Sequence, residues 1–377
     1  MTWRGLLRGE ERQRAVGVAA DIGARLRALN MNELNPGLCE GSAGIALALM
    51  YLDRVSGGDG SDADEFLGAA YESVSANPGS VGAGLANGIS GIGWVGAHFD
   101  RLAGTPAESG GDMDHLLLPV LEEGAWPGPW ELFYGLIGVG AYALEAGSSS
   151  CLARVLERLA EVPDEDGEWV TDTVRLFGPE SGRPPRYLDL GMAHGVPGAL
   201  ALCSAAAGLG SARGALLAES AAKCLLAHEF PPDPLSRYPA VVEPGETPRP
   251  THLAWCYGDA SVAVALAAGG AVLSEAATRA AKAAAARTFE QSGVVDLGLC
   301  HGTAGVAQTM GRLACLDESV APAARAWAVR LLGEAEAGKL PGEPGFLTGQ
   351  AGVALALLAA AADEDPGWDR CLLLSSG

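Results

Sequence analysis

The sequence predicts an all-α protein folded as an α/α toroid, a double ring of helices. Three observations carry this reading. A four-residue turn, Gly-x-x-Gly, recurs along the chain. An apolar helical stretch follows each copy, and a more polar, amphipathic stretch precedes it. The turns read Gly41-Ser42-Ala43-Gly44, Gly88-Ile89-Ser90-Gly91, Gly135-Leu136-Ile137-Gly138, Gly195-Val196-Pro197-Gly198, Gly302-Thr303-Ala304-Gly305 and Gly349-Gln350-Ala351-Gly352, with a variant, Gly258-Asp259-Ala260-Ser261, between the fourth and the last two. They recur roughly every 44 to 63 residues, a period that marks a repeat architecture.

The polar stretches cover roughly 10–30, 62–77, 113–124, 150–162, 211–230, 273–290 and 319–337. The apolar ones cover roughly 41–56, 88–103, 135–146, 195–208, 258–270, 302–314 and 349–362. The chain therefore reads as seven pairs, a polar helix and then an apolar one. Runs such as Ile45-Ala46-Leu47-Ala48-Leu49-Met50 and Val353-Ala354-Leu355-Ala356-Leu357-Leu358 are apolar on nearly every side. Such a helix must be buried all round, so its amphipathic partner lies outside it with one face wet.

Seven inner helices backed by seven outer ones form either an open solenoid or a closed ring. A solenoid needs terminal caps. Here the first and last inner helices are as apolar as the middle ones, which favours closure. The glycines are then expected where inner-helix starts crowd at one end of the barrel, through close backbone approach and positive φ.

Two repeats carry insertions, 163–188 and 231–251, rich in Pro, Gly and charge. They read as long loops, and such loops in compact domains are often functional. The tail after about residue 363 reads as a short extension. The repeat spans 1–377, so one domain is expected where length alone suggests two or three.

Of 377 residues, 49% are hydrophobic and 19% charged, ample for a large core. No apolar run is long and unbroken enough to span a bilayer, and the start Met1-Thr2-Trp3-Arg4-Gly5 leads into charge, unlike a signal peptide. A cytoplasmic protein, not integral to a membrane, is expected. The net charge of −21 argues against nucleic acid as a partner. Eight Cys are too sparse for a disulfide scaffold, which leaves metal or core roles.

The reactive residues share one register. His194 precedes Gly195, Cys256 lies two before Gly258, and Cys300-His301 precede Gly302. These repeats are neighbours in the ring, so the residues converge at one end of the barrel. Cys256, Cys300 and His301 form a zinc site of the catalytic type, with three protein ligands and an open fourth position. Inner-helix N-termini are expected to lower the thiol pKa values. Cys39, Cys151, Cys203, Cys224, Cys315 and Cys371 lack this convergence and read as core or incidental. His194 fits three roles: fourth ligand, general acid/base, or hydrogen-bonded core His. Glu131, four before Gly135, reads equally as a solvated acid or a site residue. His252, four before Cys256, either faces the site or belongs to a loop. His98, His115 and His228 read as structural residues without partners.

These motifs resemble the lanthionine synthetase C-like family, the cyclases of lanthipeptide biosynthesis. The turns, Ala193-His194-Gly195-Val196-Pro197-Gly198, Ala254-Trp255-Cys256-Tyr257-Gly258 and Cys300-His301-Gly302 match its pattern over nearly the full chain. The resemblance implies a toroid of seven inner and seven outer helices. It also implies zinc on Cys256, Cys300 and His301, with His194 beside the metal as acid/base. Two positions depart from the pattern: Glu131 stands for the family's Asp, and His252 for its frequent Arg. A protonated His252 would pair with Glu131 if both face the site.

The implied reaction is conjugate addition. An upstream dehydratase acts on Ser or Thr of a precursor peptide. A Cys thiol of the dehydrated peptide then binds zinc and attacks dehydroalanine or dehydrobutyrine, giving a thioether ring. Three thiolates on Zn2+ leave a net charge of about −1, so the bound sulfur stays nucleophilic. His194 protonates the enolate. Other readings are addition of glutathione or another thiol to an electrophile, a zinc-dependent prenyltransferase subunit, and a helical-repeat interaction module with structural zinc. A prenyltransferase would want an aromatic pocket, and only 6% of the chain is aromatic. A structural zinc would want four protein ligands.

Overall fold

A computed structural model describes residues 3–77, 79, 81–105, 108–231 and 235–375. Pro232, Asp233 and Pro234 of the second insertion lie outside the described residues. The helices are α1 (Gly9–Arg27), α2 (Ser42–Ser56), α3 (Ser61–Ala76), α4 (Ile89–Ala103), α5 (Glu108–Glu122), α6 (Leu136–Ala146), α7 (Ser149–Leu159) and a short α8 (Thr173–Phe177). Then follow α9 (Val196–Gly208), α10 (Ala212–Ala227), α11 (Asp259–Ala268), α12 (Ser274–Ala286), a short α13 (Phe289–Ser292), α14 (Thr303–Leu316), α15 (Ala321–Glu336) and α16 (Gln350–Ala361).

The apolar helices α2, α4, α6, α9, α11, α14 and α16 each pack on the next, and α16 packs back on α2. The inner ring is therefore closed, and the fold is an α/α toroid. Every residue of α16 from Ala351 to Ala361 is buried, as its uniformly apolar sequence requires. The outer helices pair differently from the sequence expectation. Each packs chiefly on the inner helix that precedes it, and α1 packs on α16. The short connections after each inner helix dictate this, since a short link between helices makes an antiparallel neighbour.

At the mouth of the barrel a belt of backbone hydrogen bonds joins the seven repeats. Cys39 N–H donates to Ala86 O (2.7 Å), Ala86 to Phe133 (2.9 Å), Leu132 to Ala193 (3.1 Å) and Ala193 to Cys256 (3.3 Å). Cys256 donates to Cys300 (3.1 Å), Cys300 to Leu347 (3.0 Å) and Leu347 back to Cys39 (2.9 Å). Apart from the Leu132 donor, every member lies two residues before its turn glycine. The belt satisfies backbone groups that the crowded barrel end would otherwise leave buried and unpaired.

The glycines are required mainly by this crowding. A Cβ on Gly305 would lie 1.8 Å from the Leu299 carbonyl oxygen, a backbone atom that cannot step aside. Positive φ is confined, among the seven first glycines, to Gly258, at φ +101. The expectation of left-handed turns at the others is not met. They are extended, because there the turn needs room and not a special dihedral.

The insertions are not simply loops. They share an antiparallel sheet of β1 (Val170–Asp172), β2 (Arg186–Asp189) and β3 (Val241–Val242), with Thr171 opposite Tyr187 and Leu188 opposite Val242. Asp259, buried at the start of α11, pins the second insertion by accepting from Arg237 N–H (2.9 Å) and Tyr238 N–H (3.1 Å). Its charge is matched by buried Arg287 at 2.8 Å.

The tail is no mere extension. It enters the barrel from the end opposite the belt, with Trp368, Asp369 and Cys371 fully buried. Asp369 takes Arg312 (2.7 and 2.6 Å) and Gln308 (2.6 Å), while Arg370 reaches Glu145 (2.9 and 3.0 Å). Leu372 carbonyl accepts from Trp255 Nε1 at 3.0 Å, next to Cys256.

Candidate metal centre and active site

The belt positions a group of side chains that could hold a metal ion. Cys256 and Cys300 are consecutive belt members joined by a backbone hydrogen bond, and His301 follows directly. Their ligand atoms lie within 4.8 Å of one another. Cys256 is buried, Cys300 partly exposed and His301 exposed. Cys256 and His301 border a pocket of about 540 Å³ whose other walls include Val241, Glu243, Arg249 and Tyr257. Two thiols and an imidazole open to a pocket on one side fit zinc with a free coordination position.

His301 is oriented from behind. Its Nε2 lies 3.0 Å from Asp296 Oδ2, which leaves Nδ1 for the thiols. A carboxylate on the far nitrogen of a ligating His fixes the tautomer and raises ligand basicity. The same carboxylate accepts from Gly298 N–H at 2.8 Å, so it is itself fixed. The hydrogen bond to Cys256, opposed by partial burial and aided by Asp296, raises the His301 pKa above its ordinary value.

The expected lowering of the thiols is not found at Cys256. A hydrogen bond shared with Cys300, then burial, push its thiol up, because a second sulfur beside it disfavours charge. A helix N-terminus does not outweigh a like neighbour in a buried setting; a divalent cation reverses the sign.

His194 sits in the next repeat. Its Nδ1 is 2.6 Å from Oε2 of Glu131. Glu131 is not a solvated acid. It is buried, and it accepts from the backbone N–H groups of Phe133 (3.0 Å) and Tyr134. The rings of Phe133 and Phe177 meet His194 edge-on at 5.3 and 6.1 Å. Burial opposes charge on His194, but the Glu131 hydrogen bond and charge, with Asp189, outweigh it and hold the pKa above 6.5.

His252 does not pair with Glu131 in this arrangement. It lines the pocket from an exposed position with its ring against Gly293, where an added Cβ would meet Nδ1 at 1.9 Å. His98 and His228, read as lacking partners, have them: His98 Nδ1 is 2.7 Å from buried Glu145, and His228 Nε2 is 3.3 Å from Glu168.

Sequence reasoning missed Asp189 and Asp296. Each stands six residues before a turn glycine, as Asn35 does, and each accepts from the N–H two residues on. That shared register is the signal that could have found them. Asp189 is buried and also takes the hydroxyls of Tyr257 (3.1 Å) and Tyr187 (3.4 Å). Burial pushes its carboxyl up to about 6, against the lowering by His194, Gly191 and Tyr257.

Comparison with known proteins gives a family and a fold. The family model described as lanthionine synthetase C-like protein matches residues 32–373. Among solved structures, nisin cyclase is similar in fold, with a TM-score of 0.74 and 19% sequence identity over 96% of this chain and 97% of that one. No curated protein matches in sequence.

Proposed function

This chain belongs to the lanthionine synthetase C-like family, and we propose that it is a zinc-dependent lanthipeptide cyclase. In this reading it joins a peptide Cys thiol to dehydroalanine or dehydrobutyrine as a (methyl)lanthionine thioether. The observation that carries it is the cluster of Cys256, Cys300 and His301 at the edge of a pocket, one repeat away from His194, which is held by buried Glu131. Its substrate is a dehydrated precursor peptide, supplied by a dehydratase acting in the same compartment, the cytoplasm. No described helix is long and apolar enough to cross a membrane.

Held by Cys256, Cys300 and His301, zinc would supply the Lewis acidity that favours the thiolate form of a substrate thiol. The remaining work falls to the chain. A sulfur lone pair forms the C–S bond at the β-carbon, and the Cα=Cβ π pair moves into the adjoining carbonyl as an enolate. Glu131 holds the proton of His194 on Nδ1, so Nε2 faces the reaction. The raised pKa favours the imidazolium form of His194, which can give the Nε2 proton to the α-carbon. The proton lost by the thiol restores the imidazolium. Phe133 and Phe177 shield the imidazole from water.

The test uses a synthetic peptide with one Cys and one dehydroalanine four residues apart. Cyclisation leaves mass unchanged and removes the alkylatable thiol, so iodoacetamide adducts report it by mass spectrometry. The zinc-loaded chain is expected to accelerate adduct loss, and a chelator to abolish that acceleration. An unaccelerated rate, or one indifferent to chelation, overturns the proposal.

A further inference from the structure

The first insertion brings a cation to the site from outside the repeat register. Strands β1 and β2 pair as a hairpin whose connecting segment holds α8, and Asp172 caps that helix by accepting from the N–H groups of Val174 (2.9 Å) and Arg175 (3.2 Å). The hairpin is closed by Thr173 N–H to Pro185 O at 3.0 Å. Phe177 ends α8 with its ring edge toward His194. The guanidinium of Arg183 also lies over the Phe177 ring, 4.5 Å from its centroid and 5.8 Å from that of Tyr187. Tyr187 in turn shares Asp189 with Tyr257, the residue beside Cys256. Arg183 thus stands one ring away from His194 and two hydroxyls away from the metal-binding repeat.

Arg183 differs from the arginines of this chain that reach carboxylates, as Arg14 does with Glu336, Arg237 with Glu229 and Arg325 with Glu11. With 46 acidic side chains against 25 basic ones, an arginine has many to choose from. Arg183 makes no ion pair among the described residues; two aromatic faces and the Tyr187 hydroxyl hold it instead. Stacking on rings leaves the edge of a guanidinium, with its fork of N–H donors, free to meet an incoming acceptor.

We infer that Arg183 is a catalytic residue of this site, donating to the carbonyl oxygen of the dehydrated residue and stabilising the negative charge that develops there as the thiol adds. The inference rests on the cyclase reading above. In that step the π pair of Cα=Cβ ends on the carbonyl oxygen, so a fixed cation on the His194 side opposes the charge where it grows and releases it once His194 protonates the α-carbon. The positive charge of Arg183 is also felt within the site, where it favours the neutral form of His194 and the ionised form of Asp189.

The test compares Arg183→Gln and Arg183→Lys with the zinc-loaded wild-type chain on the same Cys/dehydroalanine peptide, with zinc content and helical circular dichroism recorded for each. Arg183→Gln is expected to lower kcat at least about tenfold with little change in KM, because the interaction strengthens only as charge develops. Arg183→Lys, which keeps the charge and loses the fork, is expected to fall between. Zinc content and helicity should be unchanged, since Arg183 is exposed and touches no metal ligand. A wild type that cyclises while Arg183→Gln matches it within twofold sinks this inference alone. So does a Lys variant as slow as Gln, or loss of zinc in either variant. A wild type that does not cyclise sinks the cyclase reading and this inference with it.

Discussion

His194 Nδ1 and Glu131 Oε2 are 2.6 Å apart, and the carboxylate is immobilised by two backbone N–H groups before it reaches the ring. Glu131 therefore sets both the tautomer and the basicity of His194. Glu131→Gln is expected to lower the His194 titration midpoint, because burial, now unopposed by that carboxylate, disfavours the imidazolium. The wild-type pair adds stability below the ordinary imidazole value of 6.5 and loses it as pH rises through the raised folded value. The alkaline limb of cyclisation should move to lower pH with the midpoint. NMR titration of His194 beside a pH–rate profile checks this; an unmoved midpoint shows that the contact does not govern the ring.

Cys300→Ala is expected to release zinc while helical content stays. The belt uses the backbone of residue 300, not its sulfur, so the ring survives the substitution. Metal analysis of the purified variant decides it. One retained equivalent of zinc means that the ligand set is wrong.

Asp296→Asn should weaken zinc binding about 10- to 100-fold, the usual effect of losing a carboxylate behind a ligating His. The turn should persist, because Asn35 accepts from Gly37 N–H in the same way in the first repeat. Competition with a chromogenic chelator measures the affinity. A wild-type affinity in the variant would leave the His301–Asp296 contact without a role in metal binding.

Two glycine substitutions should move stability in opposite directions. Gly305→Ala drives a Cβ against the Leu299 carbonyl and is expected to cost about 1–3 kcal/mol or more. Gly333→Ala, inside α15 with nothing within 4 Å of the new Cβ, should gain about 0.4–1 kcal/mol. Urea unfolding of both variants tests the pair, and equal signs would show that crowding is not what the turn glycines serve.

The ring and the convergence of Cys256, Cys300 and His301 are legible in the sequence for one physical reason. A repeat fixes register, and register puts residues at the same distance before Gly195, Gly258 and Gly302 at the same end of the barrel. What the repeat does not encode is invisible to it. The strands of the insertions are two to four residues long and pair across as many as 54 positions, Leu188 with Val242, too short and too distant for any periodicity to show. Asp296 and Asp189 look like ordinary turn residues until a His or Tyr is seen on the other oxygen. Arg183 lies in a stretch whose composition says only loop. The tail looked peripheral because Asp369 and Arg370 are charged, and the buried partners that neutralise them, Arg312 and Glu145, are far away in sequence.

The belt closes between Leu347 and Cys39, and its closure bears on how the chain is made. A nascent chain that has emerged only as far as His301 already carries every proposed zinc ligand, yet Cys300 still lacks its Leu347 acceptor and Trp255 its Leu372 acceptor. Helix α1 likewise waits for α16, which is synthesised after all the other α-helices described. Folding from the amino terminus during synthesis, the habit of multi-unit chains, is unavailable to a hoop. Assembly of the ring, and with it a shaped receptacle for the metal, is thereby deferred until Leu347 and α16 have been made.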